Sequence, residues 1–471
     1  MLRIAFIRTD IALTYKRENT MIESIKDNKS FYKAVMVLVI PLALQNLINV
    51  GVSATDVIML GRVGEKVLSA ASLAGQIQFI MTLIFFGLTS GASVLIAQYW
   101  GKGDVPTIEK VLGISIKLTL YISICFLVVT YVFPAQIMHL LTNDTVVIEE
   151  GAKFLRIMCF SYVISALTMV YLNTLRSVEN VFISTFVYLV SFIINLALNP
   201  ILIFGLFGLP ALGIRGSAIA TVIARIIEFS IVVFYDRKRN KIFRFRFNML
   251  FVKDKQLSSD FIKFSLPVIL NELLWGSGVA VIAAILGHLG SAATAANSVA
   301  QVLRQLATVV SFGLASATAI MIGKVIGEGK IEVAREYGRR FIILSLIAGV
   351  LGAISILFAR PFVLANLNMS LEANQYLSKM MLVMSYFVIG QAINTTLIVG
   401  VFRAGGDTKF GLIVDVVVMW TVSIGVGYLA AFVFKLSVPI VYVILLSDEI
   451  IKIPFAMWRY KTYKWLRNVT R

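Results

Sequence analysis

Long apolar segments recur along the whole chain, and each is long enough to cross a lipid bilayer. The hydrocarbon core of a bilayer is about 30 Å thick, so a helix of roughly 20 apolar residues spans it. Twelve such segments are predicted, near residues 34–60, 67–98, 111–138, 153–175, 180–206, 211–235, 261–286, 292–323, 338–359, 376–402, 409–434 and 437–458. They are continuously apolar rather than alternating, which predicts helices and not β-barrel strands.

The second half of the chain repeats the first at an offset of 226 residues. Pro41 aligns with Pro267, and about sixty residues then align without a gap. Identical residues recur at this spacing, including Thr82 and Thr308, Gly87 and Gly313, and Gly101 and Gly327. Each copy holds six spans, an even number, so both copies enter the membrane in the same orientation. The predicted fold class is an all-α integral membrane protein, with twelve transmembrane helices in two pseudo-symmetric six-helix lobes.

Composition and charge support this topology. The chain is 59% hydrophobic and 14% charged, with a mean hydropathy of +0.88, which excludes a soluble globular protein. Its net charge of +18 comes from Lys and Arg clusters that all lie on one side if the spans alternate. By the positive-inside rule, both termini and the central loop are predicted to be cytoplasmic, in a multi-pass protein of the plasma membrane. The charge therefore indicates topology rather than nucleic-acid binding, with lipid headgroup contact by residues 243–247 as the remaining alternative.

The same patterns predict the domain boundaries. These are a cytoplasmic N-terminal segment (1–33), a first lobe (34–236), a basic cytoplasmic linker (237–260), a second lobe (261–460) and a cytoplasmic tail (461–471). Residues 1–20 have no assigned function, and Met21 is an alternative start.

Several function classes find no support in the sequence. No nucleotide-binding motif of the GxxxxGK[ST] type occurs, which argues against ATP-driven pumping. No nucleophile–base pair, metal-ligand spacing or disulfide framework is apparent, so we expect neither an enzyme nor a resident cofactor. A channel would need a continuous polar stripe or a ring formed by oligomerisation, whereas the polar residues are isolated. Energy for transport would then come from an ion gradient.

One acid interrupts the symmetry of the repeat. Asp56 lies in the middle of the first span, and the aligned residue of the second half is Ile282. An ionised Asp at mid-bilayer costs at least about 3 kcal/mol, so such a residue is protonated, ion-paired or facing a cavity. No basic residue of the spans stands out as its partner. Protonation and cation binding therefore remain as the two alternatives, and a capping role in a broken helix is the structural alternative.

Span 5 offers a second set of oxygen ligands. Asn195 and Asn199 lie one helical turn apart and thus on one face, and Pro200 follows them. Amide oxygens, a freed carbonyl and the Asp56 carboxylate would suit a hard cation. Thr221 in span 6 is a further candidate, although a Thr in a helix usually bonds to its own backbone.

Other polar residues within the spans are candidates for substrate contacts. Glu272 is the strong acid of the first span in the second half, five residues after Pro267. Amide side chains with the same candidate role are Gln45, Gln76, Asn297, Gln301 and Gln391. Each of them is individually more typical of an interhelical hydrogen bond. Arg304 in span 8 has no assigned role.

Four segments together resemble the MATE family of multidrug and toxin exporters. They are residues 91–104 (GASVLIAQYWGKGD), 195–205 (NLALNPILIFG), 216–221 (GSAIAT) and 403–409 (RAGGDTK). The resemblance extends from about residue 30 to the end, and also includes Pro41 with an Asp fifteen residues later. It implies two lobes around a central cleft, alternating access, and export of cationic or amphiphilic compounds in exchange for Na⁺ or H⁺.

The resemblance also implies where coupling takes place. The acid of span 1 and the polar pair of span 5 form the cation site in such proteins, which corresponds to Asp56, Asn195 and Asn199, with Thr221 contributing in some members. Some members have Asp at the position of Asn199, and others carry an acid in span 10 near Gln391, where this chain has none. We therefore place the coupling site in the first lobe. The choice between Na⁺ and H⁺ and the identity of the cargo stay open.

The main alternative is a flippase of similar architecture for lipid-linked saccharide precursors. Such a flippase would line its cleft with several Lys or Arg to hold polyphosphate. The deep polar positions of this chain are predicted to be mostly amides and two acids, with Arg304 as the one exception. This favours a cationic or neutral small-molecule cargo. Membrane lipid is the other expected partner, nucleic acid is not, and a monomer is expected.

Overall fold

The computed structural model describes residues 28–251, 253–367 and 369–471, so the questions raised by residues 1–20 lie outside the described residues. All regular secondary structure within these ranges is helical. Eleven helices of this part of the chain are long and apolar enough to cross a membrane. They are Asn28–Val63 (span 1), Glu65–Lys102 (span 2), Val105–Val132 (span 3), Thr145–Ser177 (span 4), Phe182–Phe204 (span 5), Ile214–Lys238 (span 6), Lys255–His288 (span 7), Ser291–Gly327 (span 8), Ile331–Asn366 (span 9), Leu371–Phe402 (span 10) and Thr408–Val433 (span 11).

The twelfth predicted span consists of two shorter helices. Val438–Leu446 and Asp448–Lys461 together form span 12 and are separated by Ser447. The second of these helices carries Asp448, Glu449 and Lys452 among its apolar residues. Three π-helical segments, Thr396–Phe402, Met419–Val426 and Leu429–Val433, lie in the neighbouring spans 10 and 11. Such segments are frequent at functional sites.

Short polar side chains begin several spans. The first backbone N–H groups of a helix have no partner within the helix, and an Asp or Ser side chain can accept from them. Asp104 accepts from the N–H of Thr107 at 3.1 Å, at the start of span 3. Asp144 and Asp254 cap spans 4 and 7 in the same way, and Ser370 caps span 10. These caps explain why the apolar segments begin where they do.

The first helix of each lobe begins in contact with the other lobe. Phe31 and Leu38 of span 1 pack in an apolar cluster with Phe341 and Val401 of the second lobe. In the corresponding place, the beginning of span 7 (Phe261 and Phe264) packs with Leu95 and Leu172 of the first lobe. Span 2 therefore packs along span 7, and its repeat equivalent, span 8, packs along span 1. The two contacts have the arrangement expected of a pseudo-twofold axis between the copies.

Glycines from the repeat bring the backbones of the two lobes into direct contact. A Cβ at Gly101 would overlap the carbonyl oxygen of Lys324, and one at Gly327 would overlap the carbonyl oxygen of Gln98. Gly101 and Gly327, like Gln98 and Lys324, differ by 226 in sequence number, so the two contacts are repeat equivalents. Gly87 and Gly313 repeat this relation against Ile269 and Ala43. Small residues at helix interfaces allow such close approach in membranes.

We expect Gly327→Ala to lower the stability of the protein by about 1–3 kcal/mol, because the added methyl group forces the backbones of spans 2 and 8 apart. The measurement is thermal unfolding of the purified protein in detergent. Gly287→Ala is the matched control, since nothing lies within 4 Å of a Cβ at that position in span 7. Equal melting temperatures for the two variants would contradict this account of the interface.

The C-terminal tail lies across both lobes. Trp465 is fully buried. Gln98 of span 2 donates to the carbonyl oxygen of Ala404 at 2.8 Å and accepts from the N–H of Val469 at 2.8 Å. Asn468 donates to the carbonyl oxygen of Ile326 in span 8 at 3.3 Å. The end of the chain therefore ties together the ends of spans 2 and 8 near the glycine contacts.

Candidate functional site

Four polar residues predicted from the sequence lie together in the first lobe. Asn199 donates from Nδ2 to Oδ1 of Asp56 at 2.6 Å and to Oδ1 of Asn195 at 2.7 Å. Asn195 in turn donates to the Thr221 hydroxyl at 3.4 Å. The result is one hydrogen-bonded group, called the Asp56 network below, that joins spans 1, 5 and 6.

The local sequence of span 5 explains how this network forms. Asn195 and Asn199 are four residues apart, so their side chains share one helix face. Pro200 lies inside the same helix, and its missing N–H leaves a backbone group without its usual partner. Asn199 is fully buried, and its Oδ1 has no hydrogen-bond partner among the described residues. A buried amide oxygen in this condition calls for a donor or a cation.

The Asp56 network borders a cavity of about 860 Å³. Asp56 and Thr221 line it, as do the predicted substrate residues Gln45 and Gln76. Its apolar lining includes aliphatic side chains and seven aromatic or methionine side chains, which are Phe79, Phe85, Phe86, Phe154, Met81, Met158 and Met169. Many polar side chains share the lining with these apolar ones, and a concave site that combines apolar walls with convergent polar groups has the form of a small-molecule site.

Basic residues also line this cavity, which corrects the expectation that the deep spans offer almost none. Arg225 of span 6 forms an ion pair with the buried Glu228 at 2.6 Å. Arg176 of span 4 donates to Oε1 of Gln45 at 3.4 Å. Arg403 is the third arginine of the lining. Arg176 and Arg403 were not predicted to face the cavity because each lies beside a predicted turn, and Arg225 because its partner Glu228 is on the next turn of the same span.

Glu272 is already paired in the structure. Its carboxylate accepts from Arg403 Nη2 at 2.7 Å, and the side chains are only 13% and 4% exposed. Arg403 also donates to the Ser90 hydroxyl at 3.0 Å, and Ser90 belongs to span 2 of the first lobe. The pair thus connects the second lobe to the first beside the cavity. The proposed substrate contact of Glu272 stays a prediction, and this ion pair would have to open for it.

The remaining predicted substrate residues lie elsewhere in the second lobe. Among the described residues, Asn297, Gln301 and Gln391 are not part of the cavity lining, nor is Glu272. Gln301 accepts from Arg304 Nη2 at 3.4 Å, which gives Arg304 a local partner on its own helix. Asn297 is buried. The structure therefore brings together Asp56, Asn195, Asn199, Thr221, Gln45 and Gln76, and leaves the second-lobe candidates apart from them.

We expect Glu272→Ala to destabilise the protein by about 3 kcal/mol, because it leaves the buried Arg403 guanidinium without its carboxylate. Thermal unfolding in detergent measures this loss. Glu372→Ala, at an exposed position that begins span 10, is the control. The double variant Glu272→Ala, Arg403→Ala should lose less stability than the two single variants lose in total, because it leaves no charge unpaired. A loss in the double variant equal to or larger than the sum of the two single losses would refute the pairing.

Comparison with known proteins follows the same two halves. The MatE family model matches residues 41–201 and 267–429, one copy in each lobe, and the two matches begin at the aligned Pro41 and Pro267. This chain belongs to the MATE family. The MATE relatives include the "Probable multidrug resistance protein YoeA" of Bacillus subtilis, 26% identical over 88% of this chain and 90% of its own length. The "Probable multidrug resistance protein NorM" of Agrobacterium fabrum is 24% identical over 86% and 88%.

Solved MATE structures share the fold. The Vibrio cholerae MATE transporter VcmN in the bent form superimposes with a TM-score of 0.83 at 21% identity, covering 93% of this chain and 97% of its own. An outward-facing multidrug resistance MATE transporter gives a TM-score of 0.83 at 18% identity over 92% and 96%. The predicted fold class, twelve transmembrane helices in two lobes, is thereby confirmed. The chain is a multi-pass MATE multidrug efflux transporter by family, and the flippase alternative is not favoured.

The second lobe of this MATE chain contains a charged group that the sequence reading missed. Lys452 of span 12 lies 2.6 Å from Asp415 of span 11 and 2.6 Å from Asp448. Glu449 is adjacent in the sequence, and Asn394 of span 10 donates to its Oε2 at 2.9 Å. The prediction that the membrane spans hold two deep acids and one deep arginine is therefore wrong. The available signal was an Asp and a Lys four residues apart, within the apolar segment 437–458.

Proposed function

We propose that this transporter is a secondary antiporter, which exports cationic or amphiphilic small molecules by alternating access in exchange for Na⁺ or H⁺. The Asp56 network carries the proposal: a carboxyl group within a span, hydrogen-bonded to Asn199 at 2.6 Å and lining the first-lobe cavity. An ionisable residue within the membrane is by default a functional group. The chain belongs to a family of multidrug efflux transporters, which supports cationic or amphiphilic small molecules as the cargo.

The coupling ion would bind at Asp56, Asn195 and Asn199. Sodium prefers oxygen ligands, and the network offers the Asp56 carboxylate and the Asn199 Oδ1 that lacks a partner. A proton on Asp56 would meet the same need, because the carboxylic acid could donate to an amide oxygen. Thr221 contributes through Asn195, whose orientation it holds at 3.4 Å. Both ions would therefore use the same atoms, and no resident cofactor is required.

The charges around the cavity favour a cationic or neutral cargo. Arg225 is paired with Glu228, and Arg403 with Glu272, so two of the three lining arginines are compensated. The third arginine, Arg176, is balanced in number by Asp56, which lines the same cavity. The lining therefore offers no strong positive field for a polyphosphate. Aromatic faces such as Phe79 and Phe86 attract organic cations, and the methionines adapt to varied apolar shapes. Gln76 would supply hydrogen bonds to the cargo. Gln45 already donates to the hydroxyls of Ser184 and Thr185, so it would have to release one of these bonds to do the same.

Binding at the Asp56 network would be linked to the shape of the cavity. Asp56 lines the cavity and accepts a hydrogen bond from Asn199, which is not part of the lining. An ion or proton that binds to the Asp56 carboxylate would neutralise its charge, and the carboxylate could then no longer pair with a cationic cargo. A cationic cargo and the coupling ion would then compete for one carboxylate. Competition of this kind produces exchange rather than co-transport.

We expect Asn199→Leu to raise the ion concentration needed for half-maximal transport by about 10-fold to 100-fold, because Asn199 orients the ion-binding carboxylate. The measurement is cargo efflux at varied Na⁺ or H⁺ concentration. Asn366→Leu, at an exposed position that ends span 9, is the control for loss of an asparagine. An unchanged ion dependence in Asn199→Leu would place the ion elsewhere.

Both termini are proposed to be cytoplasmic, in a monomer of the plasma membrane that contacts lipid and no nucleic acid. With this orientation, everted membrane vesicles should accumulate a fluorescent cationic dye in their lumen when a Na⁺ or H⁺ gradient is imposed. We expect one of the two gradients to drive accumulation, and vesicles without the protein to show none. If neither gradient moves the dye, the antiporter proposal fails.

A further inference from the structure

A carboxyl–asparagine pair lies in the second lobe as well. Asn394 of span 10 donates from Nδ2 to the carbonyl oxygen of Glu449 at 2.6 Å and to its Oε2 at 2.9 Å. Asn394 is only 3% exposed, and its Oδ1 is buried without a hydrogen-bond partner in the described ranges of the chain. The side chain therefore holds an acceptor that needs a donor, directly beside a carboxyl group.

The charges around Glu449 do not balance. Span 11 contributes Asp415 and span 12 contributes Asp448 and Lys452, and all three charges are near enough to interact with Glu449. Span 10 faces it with the neutral Asn394. The single positive charge, on a Lys452 that is 1% exposed, is shared by Asp415 and Asp448 at 2.6 Å each. If all three acids were ionised, two negative charges would remain uncompensated inside the lobe, which is costly in a membrane protein.

Nearby residues do not supply the missing positive charge. Glu272 of span 7 is within electrostatic range of Asp415, but it is another acid, and the cation beside it, Arg403, is already paired with it. The Ser423 hydroxyl donates to Asp448 at 3.0 Å, so Asp448 has both a hydrogen bond and an ion pair. Glu449 has only the Asn394 amide.

We propose that Glu449 and Asn394 form a proton-binding site in the second lobe, with Lys452 as the fixed counter-ion of Asp415 and Asp448. A proton on the Glu449 carboxylate removes one uncompensated charge. It also creates an O–H donor for Asn394 Oδ1, because a protonated carboxyl group can donate from one oxygen to the amide oxygen while its other oxygen accepts an amide N–H. No bond other than the O–H bond forms or breaks.

The site is not a copy of the Asp56 network. Asp56 and Asn199 lie in spans 1 and 5, whose repeat equivalents are spans 7 and 11, whereas Glu449 and Asn394 lie in spans 12 and 10, so the two pairs occupy unrelated positions. Yet in both lobes an asparagine donates to a carboxyl group while its own Oδ1 has no partner in the part of the chain that the structure describes. The second-lobe site goes beyond the proposed ion exchange, and rests on it only for a part in transport. Proton binding itself is independent of that function.

Infrared spectroscopy of the full-length protein in lipid nanodiscs tests the proposal, because the C=O stretch of a protonated carboxyl is separate from the bands of carboxylates. At neutral pH, we expect the wild type to show a protonated-carboxyl band that Glu449→Gln lacks. Glu372→Gln is the matched control: this acid lies at an exposed position at the start of span 10, so its loss should leave the protonated-carboxyl band as it is in the wild type. Glutamine keeps one donor and one acceptor for Asn394, so Glu449→Gln should fold.

Asn394→Leu provides the second test, since it leaves Glu449 in place and removes its hydrogen-bond partner. The proposal expects the same band at a shifted frequency, which a purely structural role for Asn394 would not produce. A band that persists unchanged in Glu449→Gln, or that disappears in Asp56→Asn alone, would overturn the proposal. Neither readout requires transport, so a failure of the antiporter proposal would leave this result interpretable.

Discussion

Asp56→Asn is expected to reduce ion-driven dye accumulation to the level of vesicles that lack the protein. The substitution keeps the size of the side chain and its ability to hydrogen-bond with Asn199, which lies 2.6 Å away. It removes the one group of the network that can carry a negative charge or take up a proton. A neutral amide binds Na⁺ weakly and cannot be protonated at physiological pH, so the gradient has nothing to act on.

Two controls make this result specific. Glu372→Gln removes an exposed acid at the start of span 10 and should transport like the wild type. Dye binding to purified Asp56→Asn, measured by fluorescence polarisation, should persist through the apolar lining of the cavity. Full transport by Asp56→Asn at normal expression would show that coupling takes place elsewhere, and Glu449 would then become the first candidate.

Lys452→Met is expected to lower the free energy of unfolding by about 3–5 kcal/mol, the largest stability effect that we predict. Methionine fills a similar volume, so the loss comes from the charge. Without Lys452, Asp415 and Asp448 face each other in a buried site where the lysine now contacts both at 2.6 Å. The removal of one member of a buried ion pair leaves the other without compensation.

Thermal and urea unfolding in detergent measure this effect. Lys461→Met, at an exposed position near the end of span 12, is the matched control and should be close to neutral. Adding Asp448→Asn to Lys452→Met should restore part of the stability, because it removes one of the repelling charges. A Lys452→Met protein as stable as the control would mean that Lys452 is not the counter-ion of this group.

The architecture was predictable from the sequence because a continuous apolar segment of about 20 residues indicates a transmembrane helix. The repeat was equally visible, since Pro41 and Pro267 or Gly101 and Gly327 keep one constant spacing. What the glycines do was not visible. Only the packed lobes reveal that Gly101 and Gly327 place the backbones of spans 2 and 8 against each other.

The first-lobe site was predictable for a related reason. Asp56 is a single acid within an apolar span, and Asn195 and Asn199 are a helical pair beside a proline, so each stands out locally. The structure adds that they touch.

Ion pairs between helices were less accessible, because their partners are distant in sequence. Glu272 and Arg403 are 131 residues apart, and Arg403 lies in a motif that looks like a turn beyond the membrane. Asp415 and Lys452 belong to different spans, so neither residue predicts the other. Pairing of this kind depends on which helix faces are adjacent, and apolar helices carry little pattern that reveals it. The sequence therefore does not predict the pairing of these charged residues.

We propose that cargo and coupling ion exchange through the Asp56 network. Exchange in the reverse sense, in which a cargo gradient drives the ion, tests this most directly in proteoliposomes. An imposed cargo gradient, with no ion gradient, should drive Na⁺ or H⁺ in the opposite direction in the wild type. The flux can be followed with a pH-sensitive dye or with radioactive sodium. Asp56→Asn should show no ion movement. Cargo that equilibrates without any ion flux in the wild type, or ion flux that survives in Asp56→Asn, would contradict the account.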